Sequence, residues 1–250
     1  IHLFRISSQV IPFGRHPANP LPWREEFAAA LRTLGDIVRG AGMRVSMHPG
    51  QHTLLTSPDE GVTRAAVSDL AWHAAFLDAL GLDATHKLVV HGGGTYGDRA
   101  AALRRWVERC HRLPEAVRRR LVVEHDERRF TVADALALSR ETGVPVVFDA
   151  LHHRLNPGAP RRPLGQVVAA CFATWGAADG PPKVHFSTQA PGRRPGTHAE
   201  YVDPREFLAF LAAAPARPFD CMLEVKAKDL ALFRLREELA RAGVWEGGAA

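Results

Sequence analysis

Seven short runs rich in β-branched residues, each followed by a longer stretch of helical spacing, predict an α/β chain with a parallel sheet and helices outside it. An open doubly wound sheet usually carries a glycine-rich phosphate loop after its first strand. Here that turn is SSQVIPFGRHP, and no GxGxxG or GxxxxGK follows any run. A chain of 250 residues has the size of a closed (β/α)8 TIM barrel. That barrel is the expected architecture, with seven of eight strands in view, the first β/α unit upstream of Ile1, and residues 1–250 forming one N-terminally truncated domain.

The strands are expected at 1–6, 44–48, 87–91, 121–124, 145–149, 183–186 and 221–225. KLVV and PVVF are continuous apolar runs, as strands covered on both faces require. The first helix, 21–39, places Phe27, Leu31, Leu34 and Val38 on one face and stops at Gly40 and Gly42. The second, 61–80, carries Val67, Leu70, Ala74 and Leu77 and stops at Gly81. Further helices are expected at 99–119, 131–142, 164–175, 204–213 and 228–242, with Asp203 capping the one that opens on Pro204.

Composition narrows the class. With 46% hydrophobic and 24% charged residues the chain is neither disordered nor fibrous, and no apolar run approaches the ~20 residues that cross a bilayer. The formal charge of +5 suits a polyanionic partner and equally suits an arginine-rich solvated surface. Cys110, Cys171 and Cys221 are odd in number, far apart and without a CxxC pair, which argues for a reducing cytoplasm and against a thiolate metal site.

The chemistry is carried by the strand ends. In order they offer His48, His91, Glu124, Asp149, His185 and Glu224. A barrel gathers those ends on one face, where active sites are built. Buried imidazoles and carboxylates are costly unless partnered, and divalent cations neutralise and ligate them together. The loops beyond add Gln51, His52, His125, Asp126, His152, His153 and His198. Nitrogen and oxygen donors without sulfur suit Zn, Mn, Fe or Co, and so many donors call for two or three ions. His2, His73, His86 and His111 fall on strand beginnings or helices and are expected to be structural or superficial. Only four of the 32 basic residues are lysines, so Lys183, inside a strand, is a chemical choice, because an amine can be neutralised or carboxylated. Tyr96 follows a glycine run, HGGGTYGDR, that lets backbone approach a ligand or simply forms a turn.

RISSQVIPFGRHP, SMHPGQH, VVHGGGTYGDR, VVEHD, VVFDALHH, KVHFSTQAPG, HAEYVD and MLEVKAKD, in this order, resemble the UV-damage endonuclease family, relatives of endonuclease IV among the xylose-isomerase-like barrels. The resemblance runs from Arg5 to Lys228. It implies three divalent metal ions, Mn before Zn or Co, and nicking of damaged double-stranded DNA 5′ to UV photoproducts and other lesions. By position, His48 and His91 match ligands of one ion, and Glu124 bridges to a second held by Asp149, His185 and Glu224. His152 and His198 match ligands of the third. Glu124 and Lys183 take the catalytic positions, Lys183 where the family has a lysine that can be carboxylated. His16, Gln51 and His52 match DNA contacts at the lesion, with Arg5 holding phosphate. His52 stands where the family usually has Tyr, and His125 where Asn is common. A monomer free of membranes is expected.

Three other readings share these residues: an abasic-site endonuclease, a sugar isomerase or epimerase on the same barrel with one or two ions, and a lesion-binding protein without catalysis. The full ligand set weighs against the last.

Overall fold

The computed structural model describes residues 1–14, 16 and 18–244. Its strands are β1 (Leu3–Ile6), β2 (Arg44–Met47), β3 (Lys87–His91), β4 (Leu121–Glu124), β5 (Val146–Asp149), β6 (Lys183–Phe186) and β7 (Asp220–Leu223). Its helices are α1 (Trp23–Glu26), α2 (Ala28–Gly40), α3 (Glu60–Ala79), α4 (Arg99–Arg112), α5 (Glu115–Arg118), α6 (Val132–Thr142), α7 (Ala150–Leu155), α8 (Leu164–Phe172), α9 (Pro204–Ala213) and α10 (Lys228–Arg241). All seven strands lie parallel in one sheet, in sequence order. β1 and β7 come into contact, but among the described residues no ladder joins them, so the barrel is nearly closed.

Strand periodicity divides the side chains between two surroundings. Leu88 and Val90, Leu121 and Val123, Val146 and Phe148, and Val184 and Phe186 face outward into one core under the helices. Val89, Val122 and Val147 face the barrel interior and form a separate cluster with Trp175, whose Nε1 donates to Val146 O at 2.8 Å. Two residues further along three of these strands stand His91, Glu124 and Asp149. The alternation that packs the barrel's base with valine thus delivers acids and imidazoles to its upper end. On β6 the same spacing sets Lys183 below His185.

The strand starts carry charge as well, but there it is paired. Lys87 Nζ donates to Asp179 Oδ1 at 2.6 Å, Arg44 pairs with Asp220, and Arg120, fully buried, donates to Asp78 and to the carbonyls of Leu82, Asp83 and His86. These contacts pair the charges and lock that end of the barrel, leaving Arg44 Nε and Arg120 Nε without a hydrogen-bond partner.

Helix starts follow the expected chemistry. Asp59, Asp98 and Asp203 cap α3, α4 and α9, and Thr131 with Asp134 forms a capping box on α6, which ends at Gly143 in the left-handed region. Two expected helices are divided. The first breaks at Phe27 into α1 and α2, and 99–119 breaks at Leu113, because Pro114 disfavours helical backbone in the residue before it. The short α7 was not anticipated.

Next to the gap the strands are only partly covered. β1 and β7 are largely half-buried, whereas β4, β5 and β6 are buried throughout. Exposed apolar side chains occur on β1 and on helices that follow β1 and β7: Phe4 on β1, Leu34 and Ile37 on α2, and Leu230 and Phe233 on α10. No helix among the described residues is long and apolar enough to cross a membrane.

Candidate metal centre

Glu124 is the hub of the upper end and is 1% exposed. Its Oε1 lies 3.0 Å from His185 Nδ1 and 3.4 Å from His152 Nδ1; its Oε2 lies 3.1 Å from His48 Nε2 and 3.9 Å from His91 Nε2. His185 Nδ1 is also 3.1 Å from Glu224 Oε1, which accepts from Arg5 Nη1 at 2.5 Å. Five strand-end groups, His152 and one arginine therefore share a single mesh, and Asp149 joins it through His152, Oδ1 to Nδ1 at 3.8 Å.

Three overlapping sets of ligand atoms lie within 4.8 Å of one another: His48, His91 and Glu124; His48, His185 and Glu224; and Glu124, Asp149 and His185. Within the mesh, Asp149 Oδ2, His185 Nε2 and His91 Nδ1 are buried and have no hydrogen-bond partner. Unpaired buried polar atoms are rare and need a reason, and here they belong to residues able to ligate. The donors are nitrogen and oxygen alone, so the residues present fit borderline to hard divalent cations.

Electrostatics of the protein alone point the same way. Burial works against the Glu124 carboxylate, yet His185, His91 and His152 hold it well below the usual carboxylate range. Burial, reinforced by Glu124 and Glu224, pushes Asp149 up to about 8. Burial disfavours the charged form of Glu224 too, but His185 and Arg5 bring it down to about 2. His152 resists burial and rises to about 10 because Glu124 and Asp149 surround it. Three acids crowd one small volume, and one of them cannot ionise near neutral pH without additional positive charge.

Local structure explains how His152 arrives there. Asp149 ends β5 and caps α7, its Oδ1 accepting from His152 N at 2.7 Å, so the helix turn returns His152 over Asp149. His153, one residue further round the helix, turns away into an outer cleft between α6 and α8, where it packs against Phe148. It does not join the cluster, as its place in the sequence had suggested. Asp126 is occupied as well, its carboxylate accepting from the backbone N–H groups of Arg128, Arg129 and Phe130 and so shaping the β4–α6 loop. His125 is wholly buried, its Nε2 accepting from Asp149 N at 3.0 Å.

The other expected residues are spread more widely. Lys183 is buried in the barrel beneath His185, its Nζ donating to Ser46 Oγ at 2.6 Å, and burial lowers its pKa to about 7. Arg5 is committed to Glu224. His198 stands on the loop after β6 with Nδ1 4.0 Å from Glu224 Oε2, and among the described residues it enters no three-ligand set of the tightness above. Gln51 lines the cavity; His52 is exposed with its ring laid over Gly50. His16 is exposed on the loop after β1, its Nδ1 accepting from Ala18 N at 3.1 Å and its ring edge-on to Phe13. A cavity of about 460 Å³ opens over the mesh, lined by His48, His91, His152, His198 and Glu224. Glu127, Arg128 and Arg129 line it too and were not foreseen, although the run DERRF directly after a strand-end glutamate was the available signal.

The model of the UV-endonuclease UvdE family matches residues 1–245. A UV DNA damage endonuclease of Clostridium perfringens is 36% identical over 235 residues, covering 94% of this chain and 57% of its own length. One of Bacillus cereus is 34% identical over 242 residues, covering 96% of this chain and 76% of its own. This chain thus spans little more than half of the Clostridium relative. The crystal structure of SacUVDE superposes with a TM-score of 0.90 at 33% identity, covering 98% of this chain and 82% of that one. Endonuclease IV from Thermus thermophilus shares the fold, with a TM-score of 0.62 at 19% identity over 96% of this chain and 90% of that one.

Proposed function

This chain belongs to the UV-endonuclease UvdE family, and from that premise we propose that it is a metal-dependent DNA repair endonuclease cutting the phosphodiester backbone 5′ to UV photoproducts and related lesions. The observation that carries the reading is the convergence of His48, His91, Glu124, Asp149, His185 and Glu224 on one mesh with unpaired donor atoms. His48, His91 and Glu124 would hold one divalent cation. Glu124, Asp149, His185 and Glu224 would hold a second, and His152 and His198 would help to hold a third; Mn would be preferred, with Zn or Co as alternatives. Bound cations activate water as a nucleophile at neutral pH and offset charge on the phosphoryl group.

The chain's own residues do the rest. Glu124, reached by four imidazoles, keeps its charge and its two oxygens divided between the His48–His91 side and the His185–His152 side. Lys183, whose pKa burial lowers to about 7, is in part an unprotonated amine at neutral pH and could add CO₂ as a carbamate, releasing one proton. Arg128 and Arg129 stand at the cavity where a polyanionic backbone would enter, so binding should weaken steeply with salt. His16, Gln51 and His52 lie on loops that could probe a distorted duplex, in which unstacking is less costly.

The test is nicking of irradiated supercoiled plasmid by protein stripped with chelator and reloaded with Mn²⁺. Cutting that requires both irradiation and metal supports the reading; equal cutting by stripped protein overturns it. Oligonucleotides carrying a photoproduct or an abasic site separate the two repair activities.

A further inference from the structure

The three tight ligand sets leave one corner of the cavity unassigned. His152 Nδ1 donates to His125 O at 3.0 Å, which turns Nε2 toward the cavity. There it faces Glu127 Oε2 at 3.9 Å. That separation is too long for a hydrogen bond, and it is what two ligands each about 2.1 Å from one ion can span.

The loop after β6 is shaped around the same carboxylate. Gly196, two residues before His198, has φ +86°, and a Cβ there would lie 3.3 Å from Glu127 Cγ and 3.6 Å from Oε1. A larger residue would press on Glu127, so glycine lets the loop close over the acid and bring His198 to the same cavity wall. His152 and His198 contribute no negative charge, and the acid near His198, Glu224, is already engaged by His185 and Arg5. The alternative role of Glu127 is its contact with its neighbour Arg128, Nε to Oε1 at 3.2 Å. Arg128 is well exposed, and the contact occupies the oxygen that does not face His152. Screened pairs of that kind contribute little.

We propose that Glu127 is the carboxylate ligand completing a divalent-cation site with His152 and His198 at the mouth of the cavity. The inference rests on the metal-dependent reading above and adds to it a donor outside the strand-end row.

The experiment counts metal rather than activity. The chain is stripped with chelator, titrated with MnCl₂ by calorimetry, and its retained Mn is measured after desalting; melting curves confirm folding. E127Q and H198A should each lose one Mn equivalent, the double variant should lose no more than that one, and R128A should keep the wild-type count. E127D keeps a carboxylate and should recover the ion with weaker affinity, which preserves the test should E127Q fail to fold. Wild-type count and affinity in E127Q, or two equivalents lost in the double variant, overturn the assignment. A wild-type chain that takes up no Mn refutes the metal-dependent reading instead, so the two failures are distinct.

Discussion

Arg5 of β1 donates to Glu224, the residue after β7, across 2.5 Å, where among the described residues β1 and β7 share no ladder. The ion pair does there what backbone hydrogen bonds do elsewhere, and it also fixes one oxygen of a carboxylate in the proposed metal site. Charge-assisted hydrogen bonds contribute ~1.5–3 kcal/mol. The Arg5 side chain is 30% exposed, so screening reduces this to roughly 1 kcal/mol. Arg5→Met should lower the stability of metal-stripped protein by about that amount in urea unfolding and should also weaken Mn²⁺ binding. Unchanged Mn²⁺ affinity would show that Glu224 is held without it.

Gly35, inside α2, reverses a general preference. A glycine in mid-helix costs about 1 kcal/mol relative to alanine, so Gly→Ala ordinarily stabilises. Here a Cβ would sit 1.8 Å from the carbonyl oxygen of Leu80, at the end of α3, and that atom belongs to backbone. Gly35→Ala must push α2 away from α3, and overpacking of this kind costs ~1–3 kcal/mol. Denaturant titration should show net destabilisation; a more stable variant would mean that the helices separate without penalty.

The strand-end residues could be found in the sequence because a covered parallel strand has a fixed period. Once KLVV is a strand, His91 must end it, and the two-residue repeat that buries Val89 in the barrel sends His91 the same way. Loop side chains obey no such rule. Asp126 and Glu127 are adjacent acids that both line the cavity, yet the first is spent on the amides of its own loop while the second turns one oxygen toward His152. Only the fold separates them. His152 and His153 were in principle separable, since an Asp capping a helix brings back the residue three along and not the fourth. The necessary step was to place a helix immediately after β5. His16 and His52 remain expectations, because both side chains are exposed and no hydrogen bond or ion pair among the described residues ties either of them to the mesh.

Acid sensitivity should have a source far from the candidate metal centre. His86 is 6% exposed at the start of β3, its Nδ1 accepting from Val45 N at 3.0 Å. Burial is the largest influence on it and lowers its pKa; Asp83 opposes this, while Arg120 and Arg44 add to it. The folded protein therefore binds fewer protons here than the unfolded chain below pH 6.5. Stability must fall as pH drops from 6.5 toward the lowered folded pKa. Urea midpoints of metal-stripped protein measured from pH 7.5 to 5 should decline, and less steeply in His86→Gln, which retains an acceptor but cannot take up the proton. Parallel declines in the two proteins would move the origin to another group.

Metal uptake should release protons. At pH 7 His152, with a pKa of about 10, carries its proton, and Asp149, at about 8, is mostly protonated. A cation held by Asp149 Oδ2 or His152 Nε2 requires the deprotonated form of each ligand. Mn²⁺ binding at pH 7 is therefore expected to expel up to about two protons per chain, and apparent affinity should rise with pH until both groups have titrated. Calorimetry in buffers of different ionisation enthalpy reads this release directly. The same linkage fixes the effect of chelation: at free metal 100-fold above Kd, binding adds about 2.7 kcal/mol to stability, so stripped protein should melt lower and recover on Mn²⁺ addition. Proton release near zero would mean that Asp149 and His152 are already ionised and neutral respectively in the metal-free protein, and the crowding of acids around Glu124 would then be relieved by some other charge.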